Sequence, residues 1–467
     1  MTLARINELT EAVNGRAVSV GDPTAGFERI ETDSRKVRRG DVFWALKGPQ
    51  HDGHDYIPDA CARGAALCVG EKGRVPKGVA AVTVSDTLQA LWDFAAWHRS
   101  RLDVLLIGVT GSVGKTTTRN MLHATLAARF RGVQSPANYN NHYGVPLSLL
   151  TIRPDHEFAV IEFGASQIGE IARLADLAQP EIGVLTAIGP AHLDEFGTIE
   201  RIGDAKSELL QALPEAGFAV INGDDERVRG LADRAACRVL QTGVRANNDV
   251  VARGIEINGD SLRFQVDRSK FTVHAPGRHF LTSALLAVAV AREIGMHDSE
   301  IAAGLKKFRP VTGRCQVLTL GPWTVIDDTY NANPVSMRAA CELLRDWHAA
   351  NQRVLIAGDM LSLGEQADAF HAGLGTEAAR CGVTRLVAMG AQAARVAGSA
   401  KDAGMDAGCL GACRDMDTLT LLLDCWLEPG DVILVKGSRG MHMEHVIEQL
   451  KLLAAARKHE TRSRKAA

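Results

Sequence analysis

The chain of 467 residues predicts an α/β protein of three domains, each with a sheet flanked by helices. Length is the first reason: an ordinary domain takes about 100–200 residues, and a single core does not keep growing beyond that scale. The second is rhythm, because short apolar runs alternate with helix-length segments from Val104 to Val435. The third is a glycine-rich turn joining one apolar run to a helical segment, from Gly108 to Thr118.

Residues 1–100 hold β-like runs bounded by turn signals, such as Asp41 to Leu46 ahead of Lys47-Gly48-Pro49. Leu88, Leu91, Trp92 and Ala95 recur at helical spacing up to Arg99, and Arg101-Leu102-Asp103 then leads into the next apolar run. The first boundary therefore falls near residue 100, closing a small N-terminal α/β domain. From 101 to 310, strand-like runs at Val104–Val109, Phe158–Ile161, Ile182–Ile188 and Phe218–Ile221 predict a mostly parallel sheet. Phe280–Val290 is too short for the roughly 20 residues that span a bilayer, and reads as a buried helix. Arg309-Pro310, ahead of Thr312-Gly313-Arg314, is the natural hinge. Strand candidates at Thr324–Ile326, Val354–Ala357, Arg385–Ala388 and Val432–Val435 then predict a Rossmann-like open sheet over 311–467.

With 46% hydrophobic and 23% charged residues and a net charge of −2, the chain has neither the makeup of a disordered protein nor the field of a general polyanion binder. No nucleic-acid partner is expected. The nine cysteines are scattered, and Cys409 and Cys413 lie in no zinc spacing, so reduced thiols and a cytoplasmic location are expected. Met1 to Gly15 mixes Arg5, Asn7, Glu8 and Glu11 among apolar residues and shows no signal-peptide apolar region. Membrane insertion is not expected, nor is assembly beyond a monomer. The basic stretch Arg457–Ala467 reads as a frayed, solvated tail.

Gly108-Val109-Thr110-Gly111-Ser112-Val113-Gly114-Lys115-Thr116-Thr117-Thr118 lies between an apolar run and a helix with Leu122, Leu126 and Phe130 on one face. That is the context of a phosphate loop. Glycines let backbone N–H groups turn toward phosphate oxygens, the helix N-terminus adds a favourable dipole, Lys115 adds a cation, and Thr116 offers a hydroxyl to Mg²⁺. Position 109 is valine where the longer P-loop pattern has glycine, so the match is to a shorter form. ATP or GTP binding follows, with Gly111, Ser112, Gly114, Lys115, Thr116 and Thr117 as its residues.

Ligands of open parallel sheets bind beyond the carboxyl ends of strands, and two polar residues stand there. Glu162 closes Phe158–Ile161, and a buried glutamate is costly unless something compensates it, as Mg²⁺ would. His192 follows Ile182–Ile188 through Gly189-Pro190-Ala191, and taken alone it reads more naturally as a core histidine. Lys206, on a helical stretch ahead of Pro214, reads as a solvated surface lysine, since an ammonium beside Mg²⁺ would be repelled.

These elements in this order resemble the Mur ligases, whose phosphate loop has the form seen at Thr110 to Thr116. The likeness extends over nearly the whole chain through Asn138-Tyr139-Asn140-Asn141, Glu162-Phe163-Gly164-Ala165-Ser166 and Asp327-Asp328-Thr329-Tyr330-Asn331-Ala332-Asn333-Pro334. Gly358 to Glu365 and Val435 to Met441 add to it. Within the family it looks most like members that add D-alanyl-D-alanine to UDP-N-acetylmuramoyl-tripeptide, giving the pentapeptide precursor of peptidoglycan. The resemblance implies ATP and Mg²⁺ as cofactors, catalytic roles for Lys115, Lys206, His192 and Glu162, and metal contacts from Thr116, Glu162, His192 and a carbamylated Lys206. It adds Asn141, Arg314, Asp328, Tyr330 and Asn331 to the nucleotide site. Ser34, Arg35, Lys47, Asp52, His54, Asn138 and Asn333 would face the other substrates. Phe280 and Ser283 depart from the family pattern, which carries Asn at both positions.

The implied chemistry is amide formation by way of an acyl phosphate, because a carboxylate is a poor electrophile until its oxygen is phosphorylated. Other Mur-type or folylpolyglutamate-type ligases would share the phosphate loop, as would a nucleotide-binding regulator that had lost catalysis.

Overall fold

A computed structural model of the chain describes residues 3–347 and 351–466, with side chains described as far as residue 458. The chain condenses into two compact units. The smaller takes Met1–Leu106, Arg131–Phe163 and Arg173–Pro180, and the larger takes Ile107–Phe130, Gly164–Ala172 and Glu181–Ala467.

In the smaller unit, strands Arg16–Val18, Ala81–Val84, Leu67–Glu71, Val42–Trp44 and Ile30–Glu31 form a five-stranded sheet in that order, parallel except for the first pair. Every residue of Val42–Trp44 is buried, as befits a strand covered on both faces. The helix Thr87–Arg99 begins where Asp86 accepts the N–H groups of Leu88 at 2.7 Å and Gln89 at 2.9 Å. Trp44 sends its indole N–H to the carbonyl of Thr87 at 2.8 Å, tying strand to helix. The same unit holds the parallel pair Gly132–Gln134 and Phe158–Glu162, the second buried throughout.

In the larger unit, the strand Leu105–Thr110 from Ile107 onward, Ile182–Leu185, Phe218–Asn222, Arg238–Gly243 and Val250–Asn258 run parallel in that order. Val250–Asn258, Ser261–Val266 and Ser269–Val273 then continue as an antiparallel meander. The helix Phe280–Glu293 is buried at every residue from Phe280 to Ala291 except Thr282, which is why its sequence shows no polar face. A six-stranded sheet follows in the order Gln316–Leu320, Trp323–Asp328, Val432–Lys436, Arg353–Gly358, Arg385–Met389 and Leu410–Cys413, antiparallel only in its first pair. Among the described residues no helix is long and apolar enough to cross a membrane.

Three details differ from expectation. The run Ile182–Ile188 is a strand only as far as Leu185, because Thr186 and Ala187 turn to hold the phosphate loop. The helix Lys115–Leu126 ends before Phe130, which caps it from outside by donating its N–H to Leu126 at 2.9 Å. The basic C-terminal stretch is helical, not frayed, as far as Ala466, and the Arg457 guanidinium donates to the Leu427 carbonyl at 2.7 Å while lying over Trp323. Ala467 lies outside the described residues.

The helix Asp298–Lys307 lies backbone against backbone on the phosphate-loop helix. A Cβ placed on Gly304 would sit 2.6 Å from both the Cα and the carbonyl oxygen of Thr125. Gly304→Ala is therefore expected to lower the unfolding free energy by about 1–3 kcal/mol through overpacking. Urea titration of both proteins measures this, and an unchanged midpoint and slope would refute the close approach.

Candidate active site

The phosphate loop starts where Leu105–Thr110 ends and stops at Gly114, which caps the helix Lys115–Leu126. Gly111 and Gly114 have φ of 140° and 87°, a region that side chains other than glycine rarely enter. The loop is pinned from one side: the Thr186 hydroxyl donates to the Val113 carbonyl at 2.5 Å, Ser112 N–H donates to the Ala187 carbonyl at 2.7 Å, and Gly189 N–H donates to the Ser112 hydroxyl at 3.1 Å. Lys115 folds back so that its Nζ donates to the Gly111 carbonyl at 2.7 Å. Thr116 and Thr117 occupy the first helical turn, Thr116 buried. The Phe280 ring packs in the core against His279 and Phe308, and Ser283 shares a 2.8 Å hydrogen bond with Thr118, binding its helix to that of the phosphate loop.

Lys206 is not a surface lysine. It lies on the helix Ile199–Gln211, is 3% exposed, and donates from Nζ to the Ala165 carbonyl at 3.0 Å, with the Phe196 ring 5.4 Å away. Ala165 belongs to a segment held by two carboxylates. Glu208 accepts Gly169 N–H at 2.6 Å and Ala172 N–H at 2.9 Å, while Glu170 accepts Ser166 N–H at 2.7 Å and Gln167 N–H at 3.1 Å. Burial, and then the Lys115 ammonium, lower the Lys206 pKa to about 7, against an opposing pull from Glu170 and Glu208.

His192 is not a core histidine either. Its side chain is 52% exposed, its φ is 55°, and its Nδ1 lies 3.2 Å from Glu195. The next residue, Leu193, donates its N–H to the Ser362 carbonyl at 3.0 Å, which joins this loop to the C-terminal sheet.

At the carboxyl end of Trp323–Asp328, Asp328 pairs with the buried Lys436 at 2.6 Å, and Lys436 also donates to the Asn331 carbonyl at 2.8 Å. The Arg314 guanidinium lies 4.1 Å from the Tyr330 ring centre, and Tyr330 N–H donates to Gly313 at 3.0 Å. Asn333 caps the helix Pro334–Asp346, its side-chain oxygen accepting Ser336 N–H at 2.9 Å.

In the smaller unit, Glu162 is buried and accepts the Asn140 amide at 2.8 Å, while its own N–H donates to the Ser135 hydroxyl at 3.0 Å. The Asn141 side-chain oxygen accepts Tyr143 and Gly144 N–H at 3.1 and 3.0 Å in the turn ahead of the helix Gly144–Leu149, and Asn138 is exposed. Ser34 is buried, and its hydroxyl lowers the pKa of the Asp59 carboxyl. Arg35, 81% exposed, grips both oxygens of Asp33 at 2.9 Å and lowers the Asp33 pKa to about 2. Lys47 is exposed, its carbonyl accepting the Tyr143 hydroxyl at 3.1 Å. His54 is 4% exposed, its Nδ1 lies 2.7 Å from Asp52 and its Nε2 accepts Glu71 N–H at 2.9 Å, so both ring nitrogens are engaged within the fold. Asp52 is likewise committed, to His54 and to Arg74 at 2.7 Å.

Residues 27–96, 109–291 and 313–439 match, in turn, the Mur ligase family catalytic domain, the Mur ligase middle domain and the Mur ligase glutamate ligase domain. A UDP-N-acetylmuramoyl-tripeptide--D-alanyl-D-alanine ligase from Bacillus subtilis is 31% identical, over 95% of this chain and 98% of its own. The chain belongs to the Mur ligase family. Crystal structures agree: MurF from Acinetobacter baumannii superposes with a TM-score of 0.85 at 32% identity, covering 96% of this chain and 98% of its own. A MurF ligase from Thermotoga maritima in complex with ADP gives 0.79 at 29% identity, covering 92% and 98%. This Mur ligase is an ATP-dependent ligase.

Sequence reasoning quoted Asn140 within a motif without giving it a role and missed Thr186, Glu170 and Glu208; these four hold site residues or the segments beside them in place. Lys206 carried a legible signal: Ile202, Lys206 and Leu210 are spaced i, i+4, i+8, one face of a helix.

The low pKa of Lys206 in this Mur ligase makes stability depend on pH. In the unfolded chain the lysine keeps its proton to about pH 10, so between about pH 7 and 10 the unfolded state binds more protons and stability rises with pH. Measured by urea unfolding in buffer free of CO₂, the stability of the wild type relative to Lys206→Met should climb through that window. A difference that stays flat would mean the lysine titrates as if solvated.

Proposed function

We propose that this chain joins the amine of D-alanyl-D-alanine to the terminal carboxylate of UDP-N-acetylmuramoyl-tripeptide, with ATP hydrolysed to ADP and phosphate. The product is the UDP-muramoyl-pentapeptide precursor of peptidoglycan, made in the cytoplasm. The observation that carries this reading is Lys206, buried and largely able to lose its proton near neutrality within reach of the Lys115 charge, in a unit that also holds a phosphate loop.

The domain roles follow the same reading. Residues 1–100 take the UDP-linked substrate, with Arg35 and Lys47 as cations for its diphosphate. Residues 101–310 hold ATP on the phosphate loop, and residues 311–467 bring Arg314, Asp328, Tyr330 and Asn331 to the nucleotide. Lys115 draws charge from the phosphates, so a substrate carboxylate oxygen attacks the γ-phosphorus and ADP leaves. The dipeptide amine then attacks the acyl carbon of the acyl phosphate, and inorganic phosphate departs with the former carboxylate oxygen. Holding the reactants in line supplies much of the acceleration.

Among the described residues no three His, Cys, Asp or Glu side chains converge as a ready metal site. A threonine hydroxyl and a lysine carbamate are donors outside that set, and the neutral Lys206 amine is the form that adds CO₂ and releases a proton. In the larger unit Thr116, His192 and carbamylated Lys206 would hold Mg²⁺. Bound there, Mg²⁺ would neutralise charge on the transferring phosphoryl group.

Purified protein given ATP and UDP-muramoyl tripeptide should release phosphate and form pentapeptide, seen by mass, only when D-alanyl-D-alanine is added. Binding of ATP with no pentapeptide would overturn the reading. Lys206→Ala should lower kcat by about 10²-fold or more while leaving affinity for the UDP substrate within about threefold. Equal losses in both, with the fold intact, would remove Lys206 from the chemistry.

A further inference from the structure

Thr186 sits in the part of the run Ile182–Ile188 that leaves the strand. It is 2% exposed, its N–H donates to the Thr110 carbonyl at 3.0 Å, and its hydroxyl lies 2.5 Å from the Val113 carbonyl and 3.3 Å from that of Thr110. A hydroxyl has one proton to give. The shorter contact takes it, and the Thr110 carbonyl already has the backbone N–H. The hydroxyl also fills the space beside Gly111, where a Cβ would meet its oxygen at 2.1 Å. A glycine at position 111 and a threonine at 186 are thus parts of one fit.

This bond sets the face that the loop presents. In a planar trans peptide the carbonyl and the following N–H point in opposite directions. Anchoring the Val113 carbonyl to Thr186 therefore aims the Gly114 N–H away from Thr186, at the N-terminus of the helix Lys115–Leu126, where a phosphate gains most from an inward N–H. With that carbonyl released, the peptide can turn, and an oxygen would then face the phosphate and repel it. Ser112, held by Ala187 and Gly189 of the same segment, steadies the preceding residue of the loop.

We propose that Thr186 is a positioning residue for ATP: it orients the Val113–Gly114 peptide so that the phosphate loop is built before the nucleotide arrives. The proposal rests on the ATP-dependent ligase reading, yet its effect is on nucleotide affinity and is measured without turnover. Thr186→Val removes the hydroxyl at nearly constant volume, and Thr186→Ser restores it. Calorimetric titration with Mg²⁺ and ATP should show affinity lowered about tenfold or more in the valine variant and recovered to within about threefold of wild type in the serine variant, the scale of one lost charge-assisted N–H donor. In the full reaction the KM for ATP should rise in the valine variant while the KM for the UDP substrate stays at the wild-type value. Valine with wild-type ATP affinity would overturn the proposal, as would a serine variant as weak as valine or a parallel loss of both KM values. If the wild type binds ATP without making pentapeptide, the ligase reading fails and the titration still decides the role of Thr186.

Discussion

The positive charge of Lys206 is placed where water cannot reach it and where Lys115 already supplies another. Taking an ammonium out of water is expensive, and a like charge nearby adds to the cost, so the amine gives up its proton near pH 7. The surroundings are built around that condition. Phe196 closes one side, the Ala165 carbonyl accepts a hydrogen bond from Nζ, and Glu170 through Oε2 and Glu208 through both oxygens accept backbone N–H groups of residues 166–172. Carboxylates committed in this way stabilise the segment without pairing directly with the lysine. An amine so held is a nucleophile toward CO₂, and the carbamate would turn a cation that repels a metal into an anion that binds one.

The phosphate loop obeys a related constraint. Its N–H groups are useful only when its carbonyls are held elsewhere, and the strand that expectation carried to Ile188 is shortened at Leu185 so that Thr186 can hold the Val113 carbonyl while the Ala187 carbonyl accepts the Ser112 N–H. The same loop continues to Gly189 and His192, so one excursion from the sheet steadies the phosphate loop and presents the imidazole. Across the larger unit, Lys436 performs a comparable task by joining Asp328 to the Asn331 carbonyl, which fixes the segment that bears Tyr330.

Much of this could be seen in the sequence. Strands covered on both faces appear as unbroken apolar runs, and Phe158–Glu162, Arg385–Met389 and Val432–Lys436 lie within a residue or two of where those runs placed them. Lysine, hydroxyl and glycines between a strand and a helix made the phosphate loop plain. Lys206 and His54 were harder, because burial is a tertiary property: a lysine or a histidine carries the same letters whether its neighbours are water or a sheet. Asn333 ahead of Pro334 had the form of a helix start, and its oxygen caps the helix Pro334–Asp346. The antiparallel meander Val250–Val273 was absent from expectation, since its alternating strands resemble loop-flanked polar segments more than core.

Carbamate on Lys206 is the point on which the account turns. Carbon-13 NMR of the protein equilibrated with labelled bicarbonate near pH 8 observes it directly, without substrates or turnover. The account predicts one carbamate carbon resonance that is missing from Lys206→Ala and fades as the pH is lowered below about 7, where the amine is protonated. A spectrum of wild-type protein identical to that of the variant would contradict it.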